Sequence, residues 1–186
     1  MTTRDILVSA AQNQTARFRK WLSFILDAEC DLDTQGNIRE ENLHDGAGIT
    51  FAGLTERDDG YTSGVTTDWV VSKYYAKYWD AVTADQLPSP VGEVVANYAV
   101  NCGVKKAVLF LQWACQDYGQ TLFTDGIIGD NTRKAAWAVP NTNDLALAVI
   151  AKGDSYYKNL AAENSNDSRF LQGWLNRDQA LKNYFC

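Results

Sequence analysis

Two acidic residues stand where proton-transfer chemistry is plausible, and they stand in unlike surroundings. Phe18, Trp21, Leu22, Ile25 and Leu26 recur at helical spacing and form one apolar face, which Glu29 continues one turn beyond Ile25. Burial at the end of such a face disfavours the charged carboxylate and raises its pKa, which a general acid needs in order to hold its proton near neutral pH. Asp45 opens the run D-G-A-G-I-T-F-A-G-L-T, and an aspartate on a solvated, glycine-rich turn stays ionised. One protonated and one ionised carboxyl is the pairing that cleaves glycosidic bonds, the first protonating the leaving oxygen and the second stabilising the cationic centre or activating water.

The elements that must position these groups are mostly helices. After the first amphipathic helix, the stretch from Cys30 to Thr66 is rich in Gly, Asp and Thr. Its alternation at Ile49-Thr50-Phe51-Ala52 and its turns at Asp45-Gly46 and Asp59-Gly60 suit short hairpin strands. Thr67 or Asp68 is expected to cap a helix reaching about Ala81. Ser89-Pro90 reads as a cap followed by a first-turn proline, and Gly103 ends the helix it opens. Lys105 to Tyr118 places Val108, Leu111, Gln112 and Cys115 on one face. Asn131–Ala138, Asn143–Lys152, Asp154–Ala162 and Ser168–Tyr184 read as further short helices.

Each candidate also has a plain structural reading. Glu29 is equally placed to be a solvent-facing residue at a helix end, and Asp45 to form an Asx turn. Tyr74, Tyr75, Tyr78 and Trp79 crowd one helix; such a helix packs a core or presents rings to sugars, with Tyr75 and Tyr78 the better sugar contacts. Asn101 near Gly103 is either a C-terminal cap or an amide aimed at an N-acetyl group.

In order along the chain come the helix-terminal Glu29, then D-G-A-G-I-T-F-A-G-L-T, Tyr78-Trp79-Asp80 with Leu87-Pro88, Val100-Asn101 with Gly103, and Ala107 with Leu111-Gln112. Asp125-Gly126-Ile127-Ile128-Gly129-Asp130-Asn131-Thr132 and Phe170-Leu171-Gln172-Gly173-Trp174-Leu175-Asn176-Arg177 follow. This ordered set, from about Phe18 to Arg177, resembles glycoside hydrolase family 108, the lysozyme-like N-acetylmuramidases of phage endolysins and related bacterial proteins. The resemblance implies an α+β, mainly helical, lysozyme-like bundle with a small β-hairpin after the catalytic Glu. It implies a glycosidase region at 1–118 and a peptidoglycan-binding-like helical region at 119–186, packed together.

It further implies cleavage of the β-1,4 bond from N-acetylmuramic acid to N-acetylglucosamine. Glu29 would be the acid, Asp45 the charge stabiliser or water-orienting base, and Thr50 a hydroxyl that holds the water or the carboxylate. Asn101, Tyr75 and Tyr78 would be the glycan contacts. Two departures stand out. The family usually continues its Glu as E-G-G-Y, whereas Glu29 is followed by Cys30-Asp31-Leu32 and a longer loop, and it commonly has Asp at the position of Asn97. A lytic transglycosylase and a non-catalytic wall-binding or virion component are the alternatives.

Composition bounds the rest. With 186 residues and 46% hydrophobic content the chain can bury a real core. A net charge of -6 excludes general nucleic-acid binding and leaves little long-range attraction to an anionic wall. Four widely spaced cysteines and the single His44 make no metal pattern, so neither metal nor cofactor is expected, and the cysteines read as buried free thiols. There is no apolar run of the roughly 18 residues a membrane span needs. No signal peptide is evident at Met1-Thr2-Thr3-Arg4-Asp5-Ile6. The expectation is a monomer without membrane insertion, made in the cytoplasm and reaching periplasmic peptidoglycan after holin-type release or virion delivery.

Overall fold

The computed structural model describes residues 2–29, 37–38, 40–42 and 48–186, with only the backbone described for Arg4, Glu29, Glu41, Asn42, Ser165 and Asn166. Its contacts divide the chain into two units, Met1–Lys77 and Tyr78–Cys186.

The first unit begins with α1 (Thr3–Ala10), where Thr2 and Asp5 form a reciprocal capping box. The Thr2 hydroxyl accepts from the Asp5 N–H at 3.1 Å, and the Asp5 carboxylate accepts from the Thr2 N–H at 2.9 Å. α2 (Ala16–Glu29) turns its apolar face wholly inward: Phe18, Trp21, Leu22, Ile25 and Leu26 are all fully buried. The expected helical period is therefore the period of the core.

Three short strands follow, β1 (Glu40–Asn42), β2 (Ile49–Phe51) and β3 (Leu54–Thr55), in an antiparallel sheet of order β1-β2-β3. Thr50 sits at the centre of the middle strand, opposite Glu41 on one side and Thr55 on the other. β2 and β3 are joined by Ala52 and Gly53, both at positive φ, the geometry of a two-residue hairpin turn whose twist matches its strands. An alanine there is strained. The turn is nonetheless fixed from within, because Ala52 is buried and its carbonyl accepts a 2.6 Å hydrogen bond from the Tyr74 hydroxyl.

Thr55 then caps the short α3 (Glu56–Asp59), accepting from the Asp58 N–H at 3.0 Å. α4 (Thr67–Tyr74) packs on α1 and starts one residue earlier than expected, with Thr66 as the cap. It also gives way sooner, widening into a π-helical turn over Tyr75–Trp79. Of the aromatic side chains expected on this helix, Tyr74 and Trp79 are buried, with Tyr74 edge-on to Trp21, whereas Tyr75 and Tyr78 are half-buried, with Tyr75 edge-on to Phe18 at 5.2 Å.

The second unit is built around α5 (Val91–Cys102), whose residues 91–99 are all buried. α6 (Val104–Asp117) follows after Gly103, and Val108, Leu111, Gln112 and Cys115 form its buried face as the spacing predicts. Ser89 does not cap α5; its hydroxyl donates instead to the Glu93 carboxylate at 2.9 Å. α7 (Asp130–Ala138) packs on α6, and α8 (Thr142–Glu163) packs on α5, α6 and α10 (Leu171–Phe185), with the single turn α9 (Ser165–Ser168) between the last two.

The two helices expected on either side of Gly153 are one continuous α8. Gly153 does not break it. A Cβ at this buried position would collide with the Tyr98 ring, so the missing side chain allows α8 to approach α5 closely. Among the described residues no helix is long and apolar enough to cross a membrane. Cys102, Cys115 and Cys186 are free thiols, and Cys30 lies outside the described residues.

Candidate active site

α2 and the small sheet both belong to the first unit. Glu29 is the last residue of α2, immediately after a helix whose core face is fully withdrawn from solvent. Asp45 and His44 lie outside the described residues. Thr50 is half-buried and shares its face of the sheet with Thr55.

The end of the glycine-rich run is organised by Glu56. Its carboxylate accepts from the Ile49 N–H at 3.3 Å and lies against Gly48, which is at φ +80°. A side chain at position 48 would strike that carboxylate and would also strain the backbone. The second glycine of D-G-A-G thus delivers the chain into β2 with Thr50 at the strand centre.

The sheet carries a carboxylate that the sequence reading passed over. Glu40 of β1 accepts hydrogen bonds from the Tyr61 hydroxyl at 2.5 Å and the Ser63 hydroxyl at 2.7 Å. The Tyr61 bond first and the Ser63 bond second hold Glu40 below the usual carboxylate range. Burial, followed by the bond to Glu40, pushes the Tyr61 phenol up to about 12. Tyr61 is stacked on Phe51, the register partner of Glu40. Its partners lie 21 and 23 residues further along the chain and no motif surrounds it, so Glu40 carries no sequence signal. Nearby, the buried Asp59 accepts from the Thr55 N–H at 2.9 Å and pairs with Lys77, which ties β3 to the π-helical turn after α4.

The other candidate contacts are distributed. Tyr75 belongs to the first unit and is half-buried against Phe18. Tyr78 opens the second unit and is also half-buried. Asn101 lies in the last turn of α5, where its amide donates to the Tyr157 hydroxyl at 3.3 Å, while Gly103 takes the C-cap position.

The D-G-I-I-G-D-N-T turn is held from inside by Gln112. Its amide nitrogen donates to the Asp125 carboxylate at 2.8 Å and the Ile127 carbonyl at 3.2 Å, while its oxygen accepts from the Gly126 N–H at 2.9 Å. The Gln112 bond, with the Ile127 N–H second, lowers the Asp125 pKa. Much of this motif's polar chemistry is therefore spent on shaping the turn. The closing F-x-x-G-W-x-x-R helix has a similar role, because Arg177 donates to the fully buried Asn97 carbonyl oxygen at 3.0 and 3.2 Å.

Comparison with known proteins agrees with this architecture. Residues 36–103 match the family model described as glycosyl hydrolase 108, and residues 106–179 match the one described as a predicted peptidoglycan domain. The first match begins beyond Glu29. No curated protein sequence matches the chain. Among solved structures, it is similar to that of Brucella abortus SagA at 20% identity and a TM-score of 0.69, over 89% of this chain and 91% of that one, which shows a shared fold. The chain thus joins a mainly helical α+β fold to a segment similar to glycosyl hydrolase family 108 and, after it, a segment similar to a predicted peptidoglycan domain, a combination that supports a peptidoglycan hydrolase of the N-acetylmuramidase type.

Proposed function

We propose that Glu29 is the general acid of this hydrolase, with Asp45 and Thr50 completing the catalytic group. The observation that carries the reading is α2 itself. The side chains Phe18, Trp21, Leu22, Ile25 and Leu26 of its apolar face are all buried, and Glu29 is the last residue of this helix, one turn beyond Ile25 in the sequence.

In this reaction Glu29 gives its proton to the glycosidic oxygen, and the bond from that oxygen to the anomeric carbon of N-acetylmuramic acid breaks. N-acetylglucosamine leaves with a free 4-hydroxyl. The Asp45 carboxylate faces the positive charge that develops at the anomeric carbon, and Thr50 orients water or that carboxylate by its hydroxyl. Water adds to the anomeric carbon and loses a proton to a carboxylate, which leaves a reducing end. Tyr75, Tyr78 and Asn101 are proposed glycan contacts, since each is only half-buried.

Replacing Glu29 with Gln keeps the shape and removes the proton. Turnover on purified, outer-membrane-free wall is expected to fall at least about a hundredfold, with pelleting on the wall retained. Near-wild-type turnover would remove Glu29 from the mechanism. The same proposal places the protein's action after release to the periplasm, as a lysin or with a virion. Added from outside, it should digest Gram-negative cells only after their outer membrane is permeabilised; lysis of untreated cells would contradict this.

A further inference from the structure

α7 presents an aromatic side chain that the core does not use. Trp137 is 61% exposed, yet its indole N–H is satisfied by the Gln86 carbonyl at 2.9 Å. The ring is therefore held in one orientation with a face left open to solvent. An indole whose N–H is already bonded leaves its ring face as the part that a partner can use.

Around it lies an open groove of about 550 Å³ lined by Gln86, Asp130, Arg133, Lys134, Trp137 and Ala138. Asp130, Arg133, Lys134 and Trp137 fall at helical spacing along one side of α7. Arg133 is paired with Asp130 and also reaches the Ile128 carbonyl at 3.4 Å. Lys134 is exposed and makes no ion pair among the described residues. In a chain of net charge -6 this is a local cationic spot beside an open aromatic face.

We infer that this groove is a wall-holding subsite distinct from the catalytic group. A sugar ring of the glycan strand lies on the Trp137 indole, and Lys134 pairs with a carboxylate of the attached peptide stem. The inference rests on the reading of peptidoglycan as substrate. It commits to that occupant through charge complementarity, because the stem is anionic and Lys134 is the groove's uncommitted cation. An indole face suits the C–H face of a pyranose, and an ammonium suits a mobile carboxylate.

The test is co-sedimentation of the full-length protein with purified sacculi on ice, alongside initial rates on short soluble glycan fragments. Trp137→Ala and Lys134→Glu are each expected to weaken pelleting about tenfold, which corresponds to one good stacking or ionic contact. Rates on the short fragments are expected to stay unchanged. On glycan stripped of its stems by an amidase, the Trp137 effect should persist and the Lys134 effect should vanish. The Lys134 effect on intact sacculi should also shrink with added salt.

Unchanged pelleting of both variants would overturn the subsite. A Lys134 effect that survives stem removal would overturn the stem carboxylate as its partner. Wild-type protein that neither pellets with nor cleaves the wall would overturn the substrate reading itself, a failure distinguishable from the other two. Lys134 is a surface residue, so its variant keeps the test sound even if Trp137→Ala destabilises the fold.

Discussion

At the scale of single residues, the pair formed by Asn97 and Arg177 shows how the fold compensates a departure from the family pattern. Arg177 binds the Asn97 oxygen, but the Asn97 amide nitrogen is buried with no hydrogen-bond partner among the described residues. Asn97→Asp removes that unpaired donor and makes the group that accepts from the Arg177 guanidinium a charged one. A charge-assisted bond in place of a neutral one should stabilise the protein by about 1 kcal/mol. Urea unfolding measures it, and a loss of stability would mean that burying the new charge outweighs the pairing. Asp45→Asn tests the catalytic group from the other side. Turnover should fall while the melting temperature holds if the Asp45 carboxylate serves the chemistry and not the fold. A lowered melting temperature with normal specific activity of the folded fraction would make Asp45 a turn former only.

At the scale of elements, the sequence is most legible where one face of a helix is buried. The α2 spacing names five of its six buried apolar side chains, missing Phe24, and the α6 spacing names Val108, Leu111, Gln112 and Cys115 but not Ala107, Phe110 or Ala114 beside them. It is least legible where a residue's role depends on a partner distant in the chain. Gly153 reads locally as a helix break, but the ring of Tyr98 makes it a contact point, and Ser89 reads as a cap although Glu93 draws its hydroxyl away. The same limit hid Glu40, whose partners Tyr61 and Ser63 lie about twenty residues on. Gly153→Ala checks this account of α8. Helix propensity favours alanine by up to about 1 kcal/mol, while overpacking against a buried ring costs about 1–3 kcal/mol. The variant should unfold at lower denaturant; a gain in stability would show that Tyr98 yields without cost.

At the scale of the whole molecule, pH acts on stability through a buried acid. Asp178 of α10 is fully buried, and burial chiefly, with Asp154 beside it, pushes its pKa up from 3.8 to about 8, while Tyr98 and Lys182 act in the opposite sense. A carboxyl that holds its proton more tightly when folded makes the native state the more protonated one across that interval. Stability should therefore decrease as pH rises from about 4 towards 8, the reverse of the usual paired carboxylate. Asp178→Asn should flatten the slope in that window, and an unchanged slope would place the titration elsewhere. The central claim, that this molecule hydrolyses the glycan strand at N-acetylmuramic acid, is tested most directly by the ends it creates. Purified sacculi digested to completion should yield new reducing N-acetylmuramic acid ends; anhydro-muramic ends, reducing N-acetylglucosamine ends, or an intact glycan would contradict it.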